Sequence, residues 1–369
     1  MTTTAPYTAP LGTDSDLVDR AAAVMEQAVR TGAADAEVIL RESDEFEAHV
    51  RMGALETLKS SGSRGVGLRV FVEGEGGMHV ASTSSSDLSA HGIDHLVSGA
   101  LQLARMSSPD PLQGLPEREA FGRLPVDLEL YHHDVYSMPV EQRVEFARRT
   151  EGASLAADSR IRNSGGGSFD AATSHRILVN SRGFSGSYRS SYCSLSTSPI
   201  ATGAGGEMQR DYWYSSARSV TRLDSPESIG EEAARRTLRR LDGRKVSTQQ
   251  VPIVFSPEIA RSIVGAMADA ANGDSIYRGA SFFSGRMGEK VASLDITIVD
   301  DGTLPGLFGS SPFDGEGLPT RRTVLIDKGV LKSYLLNTYT GRKLGLPSTG
   351  SASRGLTGNP GIGTHNLYL

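Results

Sequence analysis

Apolar residues recur at helical spacing through Leu17, Val18, Ala21, Ala22, Met25 and Val29, with Asp14 and Ser15 standing before them as a cap. The pattern predicts a helix over 15–30 that stops at Thr31-Gly32. Short β-prone runs follow at 36–41, 46–51, 65–73 and 78–83, separated by Gly, Ser and Asp clusters, with a hairpin turn at Glu75-Gly76-Gly77. Helical spacing returns at Ile93, Leu96, Val97, Ala100, Leu101 and Ala104, for which Ser86-Asp87 is the predicted cap. This order of helix, strands and helix reads as an α+β unit over 14–115. Residues 1–13, rich in Thr, Pro and Ala, carry no such pattern and are expected to be a disordered lead-in.

Proline and glycine between Pro109 and Pro125 punctuate the chain as a linker. The second unit, 126–242, opens with a helix from Pro139 to about Ala157. Alternating polar and apolar residues over 160–220, dense in Ser, Gly and Tyr, then predict antiparallel strands, and an Ala/Arg/Glu-rich helix closes the unit over 225–241. The third unit, 243–369, starts with an apolar strand at Val251-Pro252-Ile253-Val254-Phe255. Ser256-Pro257-Glu258 then opens a helix that ends at Asn272-Gly273. Further strands are expected at 294–299, 321–326 and 330–335, the last two joined by a hairpin at Asp327-Lys328-Gly329. The expected fold is a multidomain α+β protein: antiparallel strands flanked by helices, then β-rich middle and C-terminal units.

Composition narrows the function more than the fold. With 369 residues, 38% hydrophobic and 22% charged, the chain is long enough for two or three cores. A formal net charge of -5 does not favour nucleic acid as a partner. Cys193 is the lone cysteine, so no intramolecular disulfide or Cys-x-x-Cys knuckle is available. Without a signal-like start or a long apolar run, the expected location is the cytoplasm, away from membranes.

Candidate chemistry is sparse. No His-Glu-x-x-His or Gly-x-Ser-x-Gly motif occurs, and the glycine runs at 165–167 and 203–206 lack the Gly-Lys-Ser/Thr of a phosphate loop. His91 and His95 share a helix face, yet no glutamate lies between them and no third ligand suggests itself. Cys193 stands in an apparent strand without a neighbouring histidine, which favours a structural role. The densest cluster is Pro312-Phe313-Asp314-Gly315-Glu316-Gly317. Its two carboxylates, Asp314 and Glu316, suit a cation, a peptide cleft or nearby arginines, or a rigid turn in which Asp314 accepts backbone hydrogen bonds. Tyr212, Trp213 and Tyr214 form a candidate interface or substrate surface, with packing as the alternative.

Several segments taken in order resemble the TldD/PmbA family. They are Gly65-Val-Gly-Leu-Arg-Val70, Ser256-Pro-Glu258, Tyr277 to Glu289, the 312–317 cluster, Asp327 to Asn337, Arg342-Lys-Leu-Gly345 and Thr349-Gly350. The resemblance implies a bacterial protein acting in a TldD/TldE-type metallopeptidase complex that processes unfolded peptides. Where the TldD branch carries His-Glu-x-x-x-His on a helix, Val264, Gly265 and Asp269 stand here. The resemblance therefore points to the PmbA (TldE)-type subunit, with no catalytic residue, no cofactor and no metal of its own. Zinc is expected in a TldD-like partner, within a hetero- or homo-oligomer. It also implies a C-terminal segment beyond Leu369, so the chain reads as shortened. Two alternatives remain: an autonomous metallopeptidase using Asp269, Asp274, Asp314 or Glu316, and a binding or scaffold protein that modulates gyrase.

Overall fold

A computed structural model describes residues 14–369; the lead-in expected at 1–13 lies outside the described residues. Helix α1 (Asp14–Arg30) is followed by strands β1 (Asp35–Arg51), β2 (Ala54–Gly74) and β3 (Gly77–Ser85), then by α2 (Ala90–Met106). The middle of the chain supplies α3 (His133–Ser137), α4 (Val140–Ala156), β4 (Ile161–Asn180), β5 (Ser185–Thr202), β6 (Met208–Arg210), β7 (Trp213–Ala217) and α5 (Pro226–Leu238). These strands make one antiparallel sheet in the order β3-β2-β1-β4-β5-β6, with β7 also on β5. The joint is the pairing of β1 with β4, from Glu37 opposite Asn180 to Val50 opposite Gly167.

Strand length is the main departure from the sequence reading. The runs expected at 36–41 and 46–51 are one strand, and β2 begins eleven residues before the expected 65. Polar residues 42–45 and 60–64 break the alternation that marks a strand in the sequence. Pairing with β4 on one side and a two-residue turn at the tip hold them extended nonetheless. That turn is Met52-Gly53, with φ of 50° and 78°, the doubly positive geometry that matches the twist of antiparallel strands. The expected hairpin after β2 is present, closing with Gly74 opposite Gly77. The cap of α2 is Ser89, whose Oγ accepts from Gly92 N at 3.1 Å, and not Ser86-Asp87. Asp87 instead holds Ser89, accepting from its backbone N at 2.9 Å.

Period-two alternation assigns the sheet's two faces. On one face Val38, Leu40, Leu68 and Val70 pack under α1 and α2, burying Leu17, Ala21, Val97 and Ala100. Further along the same face Val50, Phe169, Cys193 and Leu195 pack with Ala147 of α4 and Ile229 of α5. The opposite face presents Ile39 and Leu178 to Phe184 and Phe313, and here the third unit sits. Each such fully buried large side chain contributes about 1.5–3 kcal/mol.

The third unit contains α6 (Pro257–Ala270), α7 (Gly273–Tyr277), β8 (Ile298–Asp301), β9 (Arg322–Asp327), β10 (Val330–Leu331), α8 (Thr338–Leu344), β11 (Ala352–Ser353), β12 (Gly361–Ile362) and β13 (Leu367–Tyr368). Its sheet runs β10-β9-β8-β13. The hairpin at Asp327-Lys328-Gly329 is as expected, with positive φ at Lys328 and Gly329. The strand expected at 251–255 is absent: these residues lie exposed, Val254 by 95%, and pair with nothing among the described residues. Apolar content favours a strand only where a neighbour completes the ladder. For the same reason the strand expected at 294–299 is displaced to 298–301, and the one expected at 330–335 shrinks to two residues.

Candidate functional site: a buried charge cluster and a polar cleft between sheet and third unit

Strand β2 explains how the third unit reaches the sheet. Val66, Leu68 and Val70 enter the helical core, so Gly65, Gly67 and Arg69 face the other way. The glycines leave the room that the chain near Leu356 occupies. A Cβ at Gly67 would stand 1.9 Å from the Leu356 carbonyl oxygen. Two residues on, Arg69 ion-pairs with Glu37, which also ion-pairs with Arg354 of the third unit. All three side chains are buried. One carboxylate thus ties two guanidiniums from segments far apart in sequence, and removing it would strand both charges in the interior.

Asp314 and Glu316 lie beside this cluster, 4% and 2% exposed. Asp314 Oδ1 accepts from Glu316 N at 2.8 Å and Leu318 N at 3.0 Å, and Oδ2 accepts from Ala352 N at 3.0 Å. It therefore locks its own turn and staples that turn to β11. Burial, then the charge of Glu316, push its carboxyl up to about 7 against the pull of the three amides. Glu316 Oε2 accepts from Thr338 N at 2.8 Å and Thr338 Oγ1 at 2.7 Å, at the start of α8. Burial raises its pKa too, while Arg69 pulls it down.

Next to this cluster opens a polar cleft of about 200 Å³, lined by Arg176 and Tyr188 from the sheet and by Phe308, Asp314, Arg354 and His365 from the third unit. Arg176 is half-buried and among the described residues reaches only the Arg354 carbonyl, at 3.4 Å from each of its Nη atoms. His365 is fixed by Asp300, whose Oδ1 accepts from His365 N at 2.7 Å and whose Oδ2 lies 3.0 Å from Nδ1. A carboxylate opposite Nδ1 places a ring hydrogen there. Of the residues here, Glu37, Arg176, Asp300, Arg354 and His365 do not stand out in the sequence, and Arg69 does so only as part of the Gly65–Val70 segment. The one usable signal is an arginine on the non-core phase of a strand behind two glycines.

The remaining candidates are dispersed. On α6, Val264 and Gly265 are half-buried and Asp269 is exposed. Valine and glycine have no side chain that can ligate zinc or carry a proton, and of the three only Asp269 could do either. Asp274 pairs with Arg278 at 3.0 Å. Among the described residues no three His, Cys, Asp or Glu side chains form a group that could hold a metal ion. His91 and His95 face solvent on α2 with Nε2 atoms 3.1 Å apart. Tyr212 and Tyr214 are exposed and stack at 6.2 Å, while Trp213 lies under the Arg236 guanidinium at 4.6 Å. Cys193 is buried, and burial pushes its thiol up to about 12, which removes it as a nucleophile. The 165–167 glycines form a bulge in β4 where Ala147 O and the His49 ring approach too closely for a Cβ.

Three family models match successive parts of the chain: PmbA/TldA metallopeptidase domain 1 over residues 36–104, the central domain over 133–241, and the C-terminal domain over 248–369. Metalloprotease PmbA of Escherichia coli O157:H7 is 37% identical over 336 residues, covering 89% of this chain and 73% of that protein. The chain belongs to the PmbA/TldD family. A PmbA homolog from Haemophilus influenzae is 35% identical over 328 residues, covering 89% of this chain and 71% of that one. Among solved structures, a Bacteroides thetaiotaomicron protein described as a candidate modulator of DNA gyrase superposes with a TM-score of 0.86 at 27% identity, covering 96% of this chain and 77% of its own. TldE from Thermococcus kodakarensis shares the fold, with a TM-score of 0.80 at 20% identity over 94% and 77% of the two chains. The family is metallopeptidase-related, and the multidomain α+β fold expected from the sequence is the one observed.

Proposed function

We propose that this chain is the PmbA/TldE-type subunit of a metallopeptidase complex that processes unfolded peptides, with zinc and the cleaving groups supplied by a TldD-like partner. The reading is supported by the composition of α6, whose Val264, Gly265 and Asp269 stand where the sequence resemblance expects the histidines and glutamate of the TldD branch. On this reading the chain's own task is to hold and present substrate. Backbone pairing suits a substrate of variable sequence. The outer edge of β2 over 54–64 has no ladder partner among the described residues, because β3 pairs only with Val66–Gly74. The edge of β5, by contrast, is occupied by β7 at 193–197 and β6 at 200–202. The strand edge assigned to an extended peptide is therefore that of β2.

The test measures zinc content and cleavage of an unfolded peptide for the purified chain alone, the TldD-like partner alone and the mixture. Cleavage that needs the mixture, with zinc following the partner, supports the reading. Zinc and cleavage in the isolated chain overturn it in favour of an autonomous enzyme. Capture of gyrase, with cleavage unaffected by this chain, favours a scaffold.

A further inference from the structure

The polar cleft holds an imbalance of charge that the fold itself does not use. Every carboxylate around it already has a partner, with both arginines meeting Glu37 at Oε1 and its buried Oε2 left without a donor among the described residues. Glu37 lies between Arg69 and Arg354, Asp300 holds His365, Glu316 holds Thr338, and Asp314 accepts from three amides. Arg176 has no such partner: among the described residues no carboxylate comes within ion-pairing distance of its guanidinium. Arg354 repeats the signal from the other wall, because its Nε–H is buried and has no acceptor among the described residues. A buried charged donor left without an acceptor is costly, and a ligand oxygen would relieve it.

The size and walls of the cleft limit what that ligand can be. Its volume of about 200 Å³ has room for one terminal residue. Beside the guanidiniums stand the rings of Tyr188, Phe308 and Phe313, so the site offers a planar cationic fork next to aromatic surface. Inorganic phosphate would use the fork and leave the rings bare. A peptide's last residue brings a carboxylate and a side chain together.

We propose that this cleft binds the C-terminal carboxylate of a peptide, with Arg176 as the primary contact and Arg354 as its support. The inference rests on the peptide-presenting reading above and adds which end of the substrate is held, and where. Burial of Asp314 and Glu316 favours their neutral forms, which keeps the site attractive to an anion.

The experiment titrates the full chain with a fluorescent pentapeptide ending in tyrosine, as the free acid and as the C-terminal amide, with inorganic phosphate as competitor. The expected result is free-acid binding on the order of tenfold tighter than the amide, with that difference abolished in Arg176→Gln and partly kept in Arg176→Lys. Equal binding of acid and amide overturns the inference and leaves the peptide reading standing. Binding of neither overturns both. Full displacement of the acid by phosphate at equal concentration assigns the site to a free anion and also overturns the inference. Should Arg176→Gln fail to fold, the acid and amide comparison on the unaltered chain still decides.

Discussion

Replacing Gly67 with alanine tests whether the third unit is truly seated on the sheet. The added Cβ would lie 1.9 Å from the Leu356 carbonyl oxygen, 2.7 Å from its carbon and 2.9 Å from its Cα. Carbon–oxygen contacts settle near ~3.3 Å, so the backbone must retreat by about 1.4 Å, and no rotamer relieves a clash with backbone. That retreat draws Leu356 from the cluster of Ile39 and Leu178 and pulls on Arg354, two residues away, which pairs with Glu37. Overpacking costs about 1–3 kcal/mol and loosening the buried ion pair adds to it, so roughly 3–4 kcal/mol is expected. Two controls calibrate the result. At Gly65 the Cβ meets only the Leu356 Cδ1 end, at 2.6 Å, which can swing aside, so about 1 kcal/mol is expected. At Gly99 on α2 it meets nothing within 4 Å, so alanine should stabilise by about 0.5–1 kcal/mol. Urea unfolding midpoints of the three variants read the order directly. A Gly67→Ala cost no larger than that of Gly65→Ala would refute the reasoning.

Glu37→Gln leaves Arg69 and Arg354 buried without their counter-charge and should cost about 3–5 kcal/mol by urea unfolding; a loss below 1 kcal/mol would mean that water reaches the cluster. Asp314 has a raised folded-state pKa, so its contribution to stability is full below about pH 4 and is lost as pH rises through about 7. Relative to Asp314→Asn, which does not titrate, the unaltered chain should lose up to about 1.4 kcal/mol per pH unit within that window, and parallel stability curves would contradict this. The Cys193 thiol should resist a thiol reagent at pH 8 in the folded protein and react at once in denaturant; rapid reaction without denaturant would show the core around it to be open.

Much of the architecture was legible because it depends on local periodicity. The helical repeats from Leu17 and from Ile93, the proline start at Pro257 and the glycine turns after β2 and β9 each encode an element within a few residues. The long arm of β1 and β2 was not, since its polar stretch is held extended by β4, more than a hundred residues away. The same distinction holds for the site. Asp314 and Glu316 were visible as carboxylates in a glycine-rich turn, and one of the roles open to Asp314, accepting backbone amides, describes its geometry. Of the arginines near them only Arg69, behind Gly65 and Gly67, left a signal; Arg176 and Arg354 gave none, because an isolated arginine reads as a solvated side chain.

The sequence by itself determined the longer helices, the hairpin turns after β2 and β9, and the membership of a metallopeptidase-related family, since all of these are properties of residue type and near spacing. Only the tertiary structure decided that the first two units share one sheet, that Gly65 and Gly67 exist to admit the chain at Leu356, and that Glu37, Arg69, Arg176 and Arg354 meet in one place. Those facts depend on segments as many as 317 positions apart being brought into contact, and charge burial acts only once they are.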